Sequence, residues 1–222
     1  MKKQDVISRR SLLKIGGSSI IALSATKLLG SICEGTPIQP KGPFYPVKDQ
    51  ADKNNDLTVV NSSGQVALGD IIYLSGKVTD HNCNPIQNVV VEIWQACYSG
   101  RYNHPGDQEN NNPLDENFQY WGITTTSSDG SYNFKTIIPG HYVAAPGWIR
   151  PPHIHFKVYK NGYKEKITQM YFANNQYNNG DKILNTIPNN EKPLVIREKI
   201  ARSSENGRNA FDMVFDITVE RV

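Results

Sequence analysis

From residue 71 onwards, short runs rich in β-branched and aromatic residues alternate with clusters of Gly, Pro, Asn and Asp. Apolar runs bounded in this way predict strands, here over residues 71–79, 88–95, 122–126, 131–136, 153–159, 167–172 and 211–219. Asp129-Gly130 and Asn161-Gly162 are hairpin signals. Only residues 195–203 read as modestly helical, and no internal repeat is present. Seven short strands without alternating helices predict an all-β fold, an antiparallel β-sandwich over residues 71–222. Residues 34–70, dense in Pro, Gly, Asn and Asp, read as an extended, irregular arm. The stretches 98–120 and 140–152 are long for connections in a compact domain, and long loops on a rigid sheet are where sites are built.

Residues 1–33 carry a different pattern. Ser8-Arg9-Arg10-Ser11-Leu12-Leu13-Lys14 precedes a weakly apolar, uncharged run over residues 15–26, the layout of a twin-arginine signal. Such signals imply export of an already folded protein to the periplasm or beyond, often with its metal loaded, the leader being either cut or kept as an anchor. The charge agrees: residues 1–33 hold a net +5, so the formal +3 of the whole chain leaves about −2 for the body. No clustered positive field remains for nucleic acid, which is excluded as a partner. Cys83 falls in a turn and Cys97 just past the far end of the following strand. About ten extended residues at roughly 3.3 Å each separate them too far for a disulfide, so no such bridge is expected.

His153-Ile154-His155 opens a predicted strand, where residues i and i+2 project from one face. Two imidazoles on one side are half of a metal site. Gly147 followed by this pair matches the opening of a cupin motif, but Tyr159 and Lys160 stand where its carboxylate would be, so that site is not completed. The nearby alternatives are phenols in the long loops, Tyr102 and Tyr142. Each taken singly reads equally well as one of eleven tyrosines packing a loop. Together, two phenolates are hard anionic donors that would favour a ferric ion.

Several separate blocks, in order, then carry a resemblance. They are Gly42-Pro43-Phe44-Tyr45-Pro46, Val91-Glu92-Ile93-Trp94-Gln95-Ala96, Gly100-Arg101-Tyr102, Pro113-Leu114-Asp115-Glu116-Asn117-Phe118, Thr136-Ile137-Ile138-Pro139-Gly140, Arg150-Pro151-Pro152-His153-Ile154-His155-Phe156 and Gln169-Met170-Tyr171-Phe172. The chain resembles the intradiol ring-cleavage dioxygenases, nearest to their protocatechuate branch, over most of residues 42–172. The resemblance implies non-haem Fe(III) held by Tyr102, Tyr142, His153 and His155. It implies that Tyr142 leaves the metal when a catechol chelates and takes up a substrate proton, and that Arg150 stabilises negative charge on the ring. It implies that Gln169 lies near the substrate, and that O2 delivers both its atoms to a cis,cis-muconate-type diacid. Val143-Ala144 follow Tyr142 where the protocatechuate enzymes place a tryptophan, which changes the pocket wall. The arm is short for the helical dimerisation domain of the catechol branch. A homo-oligomer or a related second chain are the partners the resemblance implies.

The competing reading is an exported, non-catalytic β-sandwich module that binds phenolics or sugars, since fold does not fix function. Another metal serving an oxidase or hydrolase at the same residues is a third, disfavoured by paired phenolates. His104 and His141 read as solvated loop residues or neighbours of the ligands, His81 as a turn residue, and Trp94 and Phe156 as core. Asp115 and Asp129 read as turn formers.

Overall fold

The structure, a computed structural model, describes residues 32–50, 52–60 and 64–222; residues 1–31 of the twin-arginine segment lie outside them. Twelve strands follow one another among the described residues: β1 (Ile71–Thr79), β2 (Val90–Trp94), β3 (Trp121–Thr125), β4 (Ser131–Ile137), β5 (Tyr142–Ala145), β6 (Trp148–Arg150), β7 (His153–Tyr159), β8 (Lys166–Phe172), β9 (Ile196–Arg197), β10 (Ile200–Glu205), β11 (Arg208–Val214) and β12 (Ile217–Thr218). The helical elements among these residues are single 3-10 turns.

The strands form two main sheets that bury a shared core. One has the order β10-β11-β1-β12, with β4 on the other side of β1; the other runs β3-β2-β7-β8-β9. Ile72, Leu74 and Val78 of β1, Val91 and Ile93 of β2, and Ile154, Phe156 and Val158 of β7 recur at every second position and belong to one core cluster. This is the period that a strand with one buried face requires. The all-β sandwich expectation holds, with one amendment. The sheets are mixed, because β1 pairs in parallel with β11 and β12, and β8 pairs in parallel with β9.

Three local expectations are corrected. Residues 195–203 form β9 and β10 rather than a helix. What holds them is pairing with β8 and β11, a long-range term that outweighs weak local propensity. Asp129-Gly130 turns the chain, but β3 and β4 belong to different sheets, so it joins two layers instead of closing a hairpin. Asn161-Gly162 does link the antiparallel pair β7 and β8. The loop at 140–152 contains a two-stranded ribbon, β5 and β6, reversed at Gly147 with φ +73°.

The arm is irregular, as expected, and it is tied down. Cys33 forms a disulfide with Cys83, across 50 residues of sequence, while Cys97 is free and buried. No bridge joins Cys83 to Cys97, but the pairing of Cys33, at the end of the segment read as leader, was not expected. It puts Cys33 in the folded unit that spans Ser31–Val222. From this anchor the arm runs along β8: Gln39 N–H donates to Ile167 O at 2.9 Å, and Lys166 Nζ donates to Thr36 O at 2.7 Å.

A cross-link closing a loop of this size stabilises chiefly by restricting the unfolded chain. Replacing Cys33 by Ser should lower unfolding free energy by about 2–4 kcal/mol, measured by urea denaturation, and reductant should destabilise the parent but not the variant. Equal stability of the two proteins would show that the bridge contributes nothing.

Candidate active site

Strand alternation decides where the chemistry sits. With Ile154, Phe156 and Met170 pointing into the core, the intervening His153, His155, Gln169 and Tyr171 point from the opposite face of the same sheet. Trp94 joins that face, paired in register with His155. An outer sheet face is normally wet, yet His153 and His155 are each only 2% exposed and Gln169 is fully buried. The arm and the two long loops roof them.

Each phenol reaches this face by its own route. After β2 the chain turns at Gly100, whose φ is +83°, and Gly100 packs backbone to backbone on the stretch before β5. A Cβ on Gly100 would stand 2.1 Å from His141 O, and one on Gly140 would stand 2.3 Å from Gly100 N. Only paired glycines allow that approach. It brings Tyr102, whose N–H donates to Asp107 Oδ2 at 2.7 Å, to a ring-centroid separation of 5.8 Å from Tyr142. Tyr142 starts β5 and is held in register with Arg150 of β6. Tyr142 and His153 are 5.8 Å apart by centroids, and His153 and His155 are 4.8 Å apart. All four residues are buried.

The ring nitrogens are set by their neighbours. His153 Nδ1 lies 2.6 Å from Pro151 O, so Nδ1 carries the proton and Nε2 keeps its lone pair, 3.5 Å from the Tyr102 hydroxyl. His155 lies flat on Trp94, centroids 4.7 Å apart, and its buried Nδ1 has no hydrogen-bond partner. Burial, seconded by Arg150, holds both imidazoles well below the ordinary histidine range, so they are neutral. Burial, and then the neighbouring Tyr142, raises the Tyr102 phenol well above its usual value; burial raises Tyr142 as well, with Arg150 opposing it. Neutral imidazoles and phenols buried side by side are good ligands for a cation that displaces the phenolic protons. Among the described residues no three His, Cys, Asp or Glu side chains gather to hold a metal. A metal here would therefore need the tyrosines, and two imidazoles with two phenolates suit a hard trivalent ion.

Arg150 stands beside this group, buried, with its Nε 2.9 Å from Asp181 Oδ1 in an ion pair that is not aligned as a hydrogen bond. Its Nη2 donates to Gln169 Oε1 at 2.7 Å. Gln169, expected beside the substrate, bonds within the protein: its Nε2 donates to Pro40 O at 2.9 Å, and its Oε1 also accepts from Tyr171 at 3.1 Å. Gln39 from the arm accepts from the Tyr171 hydroxyl at 2.8 Å and donates to Gln169 O at 2.9 Å. Asp181, Tyr171 and Gln39 thus position Arg150; Tyr171 lies in one of the motif blocks, while Asp181 and Gln39 carry no sequence signal for this role. Asp181 lies 31 positions from Arg150, beyond β7 and β8, and no local pattern marks it. Phe44, part of the Gly42-to-Pro46 block, stacks on Tyr102 at 4.6 Å and meets Tyr142 edge-on at 5.9 Å. His104 caps a 3-10 turn by accepting from Gly106 N–H, and the exposed His141 packs on Tyr177. Tyr142 and Arg150 face a cleft of about 590 Å³.

Comparison with known proteins shows the family. A family model described as "Dioxygenase" matches residues 41–221. The chain is 34% identical to the protocatechuate 3,4-dioxygenase beta chain of Burkholderia cepacia, over 80% of this chain and 76% of that one. In fold it is similar to 3-chlorocatechol 1,2-dioxygenase from Rhodococcus opacus 1CP, with a TM-score of 0.67, 24% identity and coverage of 85% and 74%. The dioxygenase domain of a dioxygenase and carbohydrate-binding protein fusion from Streptomyces sp. SirexAA-E is 30% identical, with a TM-score of 0.56 and coverage of 83% and 99%.

Two outcomes follow from the electrostatics. Asp181→Asn strands the buried Arg150 charge and should cost about 3–5 kcal/mol of unfolding free energy, read from chemical denaturation. The two histidines have folded pKa values below the unfolded value near 6.5. Below that pH the unfolded chain binds more protons, so stability is complete above it and lost as pH falls. For metal-free protein the loss should approach about 1.4 kcal/mol per pH unit for each histidine, seen as a falling urea midpoint between pH 6.5 and 5.5. A flat midpoint would place the imidazoles in water.

Proposed function

The chain belongs to the intradiol ring-cleavage dioxygenases, and on that premise we propose that it opens a catechol at a non-haem ferric ion held by Tyr102, Tyr142, His153 and His155. The family's reaction splits the ring between its two hydroxyl-bearing carbons and places both atoms of O2 in the diacid product, here of the cis,cis-muconate type. The observation that carries the assignment to these residues is the gathering of two phenols and two neutral imidazoles on the outer face of β7 and its neighbours, with His153 Nε2 left free by its Nδ1 contact to Pro151.

Bound there, a ferric ion would act as a Lewis acid that withdraws electron density from a chelated catechol and makes its ring reactive toward O2. The chain supplies the rest. Tyr142 lines the cleft, and as the phenolate it would be while holding the ion, its oxygen could take up a substrate hydroxyl proton as the catechol binds. Arg150, immobilised by Asp181 and Gln169, presents a fixed positive charge beside Tyr142 where negative charge develops on the ring. Such a preorganised charge needs no reorientation during the reaction. Phe44 and Trp94 cover Tyr102 and His155 and keep water from the ligand cluster.

We also propose that the chain works outside the cytoplasm after twin-arginine export. The Ser8-to-Lys14 motif supports this, and so does the Cys33–Cys83 disulfide, which belongs to oxidising compartments. Assembly with identical copies or with a related second chain extends the reading to its partners.

The purified protein should contain iron close to one per chain and show a broad tyrosinate-to-iron charge-transfer absorption that shifts when a catechol is added without O2. Tyr102→Phe and His155→Ala should each abolish bound iron or turnover. Full activity in both variants, or iron without that absorption, would remove these residues from the metal.

A further inference from the structure

The cleft beside Tyr142 and Arg150 is larger than a catechol needs. Its volume of about 590 Å³ lies within the range of about 300–1,000 Å³ that buries drug-sized ligands, whereas the catechol nucleus has eight non-hydrogen atoms. Part of the wall is apolar: Phe44, Val143, Trp148 and Ile183. Val143 is 70% exposed, and a register shift in the β5–β6 ribbon lies between it and Ala145. Such an irregularity re-aims side chains near a site.

The remaining wall comes from the loop ahead of Pro113 and is acidic and amidic. Glu109 is exposed and makes no ion pair among the described residues. Asn110 and Asn112 are committed, their amides donating to Gly100 O at 3.2 Å and Ser99 O at 2.7 Å, while the Asn111 side chain has no partner among the described residues. The cleft's one cationic lining residue is Arg150, and its guanidinium is already held by Asp181 and Gln169. Lys182 lies 5.2 Å over the Trp148 ring and is not part of the lining.

We propose that this cleft selects catechols whose ring bears an uncharged side chain of several heavy atoms, and discriminates against catechols bearing a carboxylate. The inference deepens the reading under Proposed function and rests on it for the position of the ring. A carboxylate tail entering here would give up water, find no free cation among the lining residues and meet the charge of Glu109. Discrimination by an unmatched charge is a general route to specificity. An uncharged tail packs against Val143, Trp148 and Ile183, and a terminal hydroxyl has acceptors in Glu109 and Asn111.

The test uses the iron-loaded enzyme with dihydrocaffeate and the corresponding alcohol, which share a length and differ in tail charge. Oxygen uptake gives kcat/KM for each, and tryptophan fluorescence quenching without O2 gives binding. The alcohol should be favoured about tenfold in both readouts, and added salt should narrow the ratio, as screening predicts. Val143→Arg, at an exposed position, should erase or reverse the preference; if that variant does not fold, Glu109→Gln should narrow it. Equal or better handling of the carboxylate by the parent, or an unchanged ratio in a folded Val143→Arg protein, would overturn the inference. Tighter binding of the alcohol without turnover of either compound would uphold the selectivity and instead count against the catalytic reading.

Discussion

The two-residue period of strand β7 is the constraint on which the site depends. Ile154, Phe156 and Val158 must face the sandwich core, so His153 and His155 must face away from it. The same register on β2 and β8 brings Trp94, Gln169 and Tyr171 to that outer face. The histidines are thereby positioned by a packed hydrophobic layer behind them, and a slip of one residue would send both into the core. What the pleat cannot do is keep water off them. That requires a second layer, and much of what is irregular in this chain serves as one.

The roof is assembled from segments with little regular structure, and each is fastened by a specific contact. The arm is anchored by the Cys33–Cys83 bridge, follows β8 by hydrogen bonds, and delivers Gln39 to Tyr171 and Phe44 to Tyr102. The loop after β2 is seated by Gly100 against His141, with no room for a Cβ on either Gly100 or Gly140. Asp107 then holds the Tyr102 backbone. Loops tied in this way lose their freedom in the folded state before any ligand arrives. The two phenols are therefore held by contacts within the protein itself.

Electrostatically the site combines a neutral ligand cluster with one compensated charge. Water exclusion keeps the imidazoles and phenols uncharged, while Arg150 keeps its charge because Asp181 faces it and Gln169 and Tyr171 surround it. The guanidinium beside Tyr142 is held by Asp181 and Gln169.

Much of this was legible in the sequence. The His153–His155 spacing within a strand pattern placed two imidazoles on one side, because strand geometry is local and its period is fixed. The arm, most strands and both phenols could be named from composition, turn residues and ordered motif blocks. The parallel pairings of β11, β12 and β9 could not, nor could the strands at 195–203, because their stability comes from neighbours distant in the chain. The partnership of Cys33 with Cys83 likewise depended on where the arm lies in space. Asp181, Gln39 and Tyr171 carry no local signal of their role, since positioning Arg150 is a matter of a few ångströms in three dimensions between residues up to 132 positions apart. The sequence by itself determined which chemistry was available and on which face of which strand. The tertiary structure decided that this face is dry, because only segments folded back from elsewhere in the chain can exclude water from the outside of a sheet.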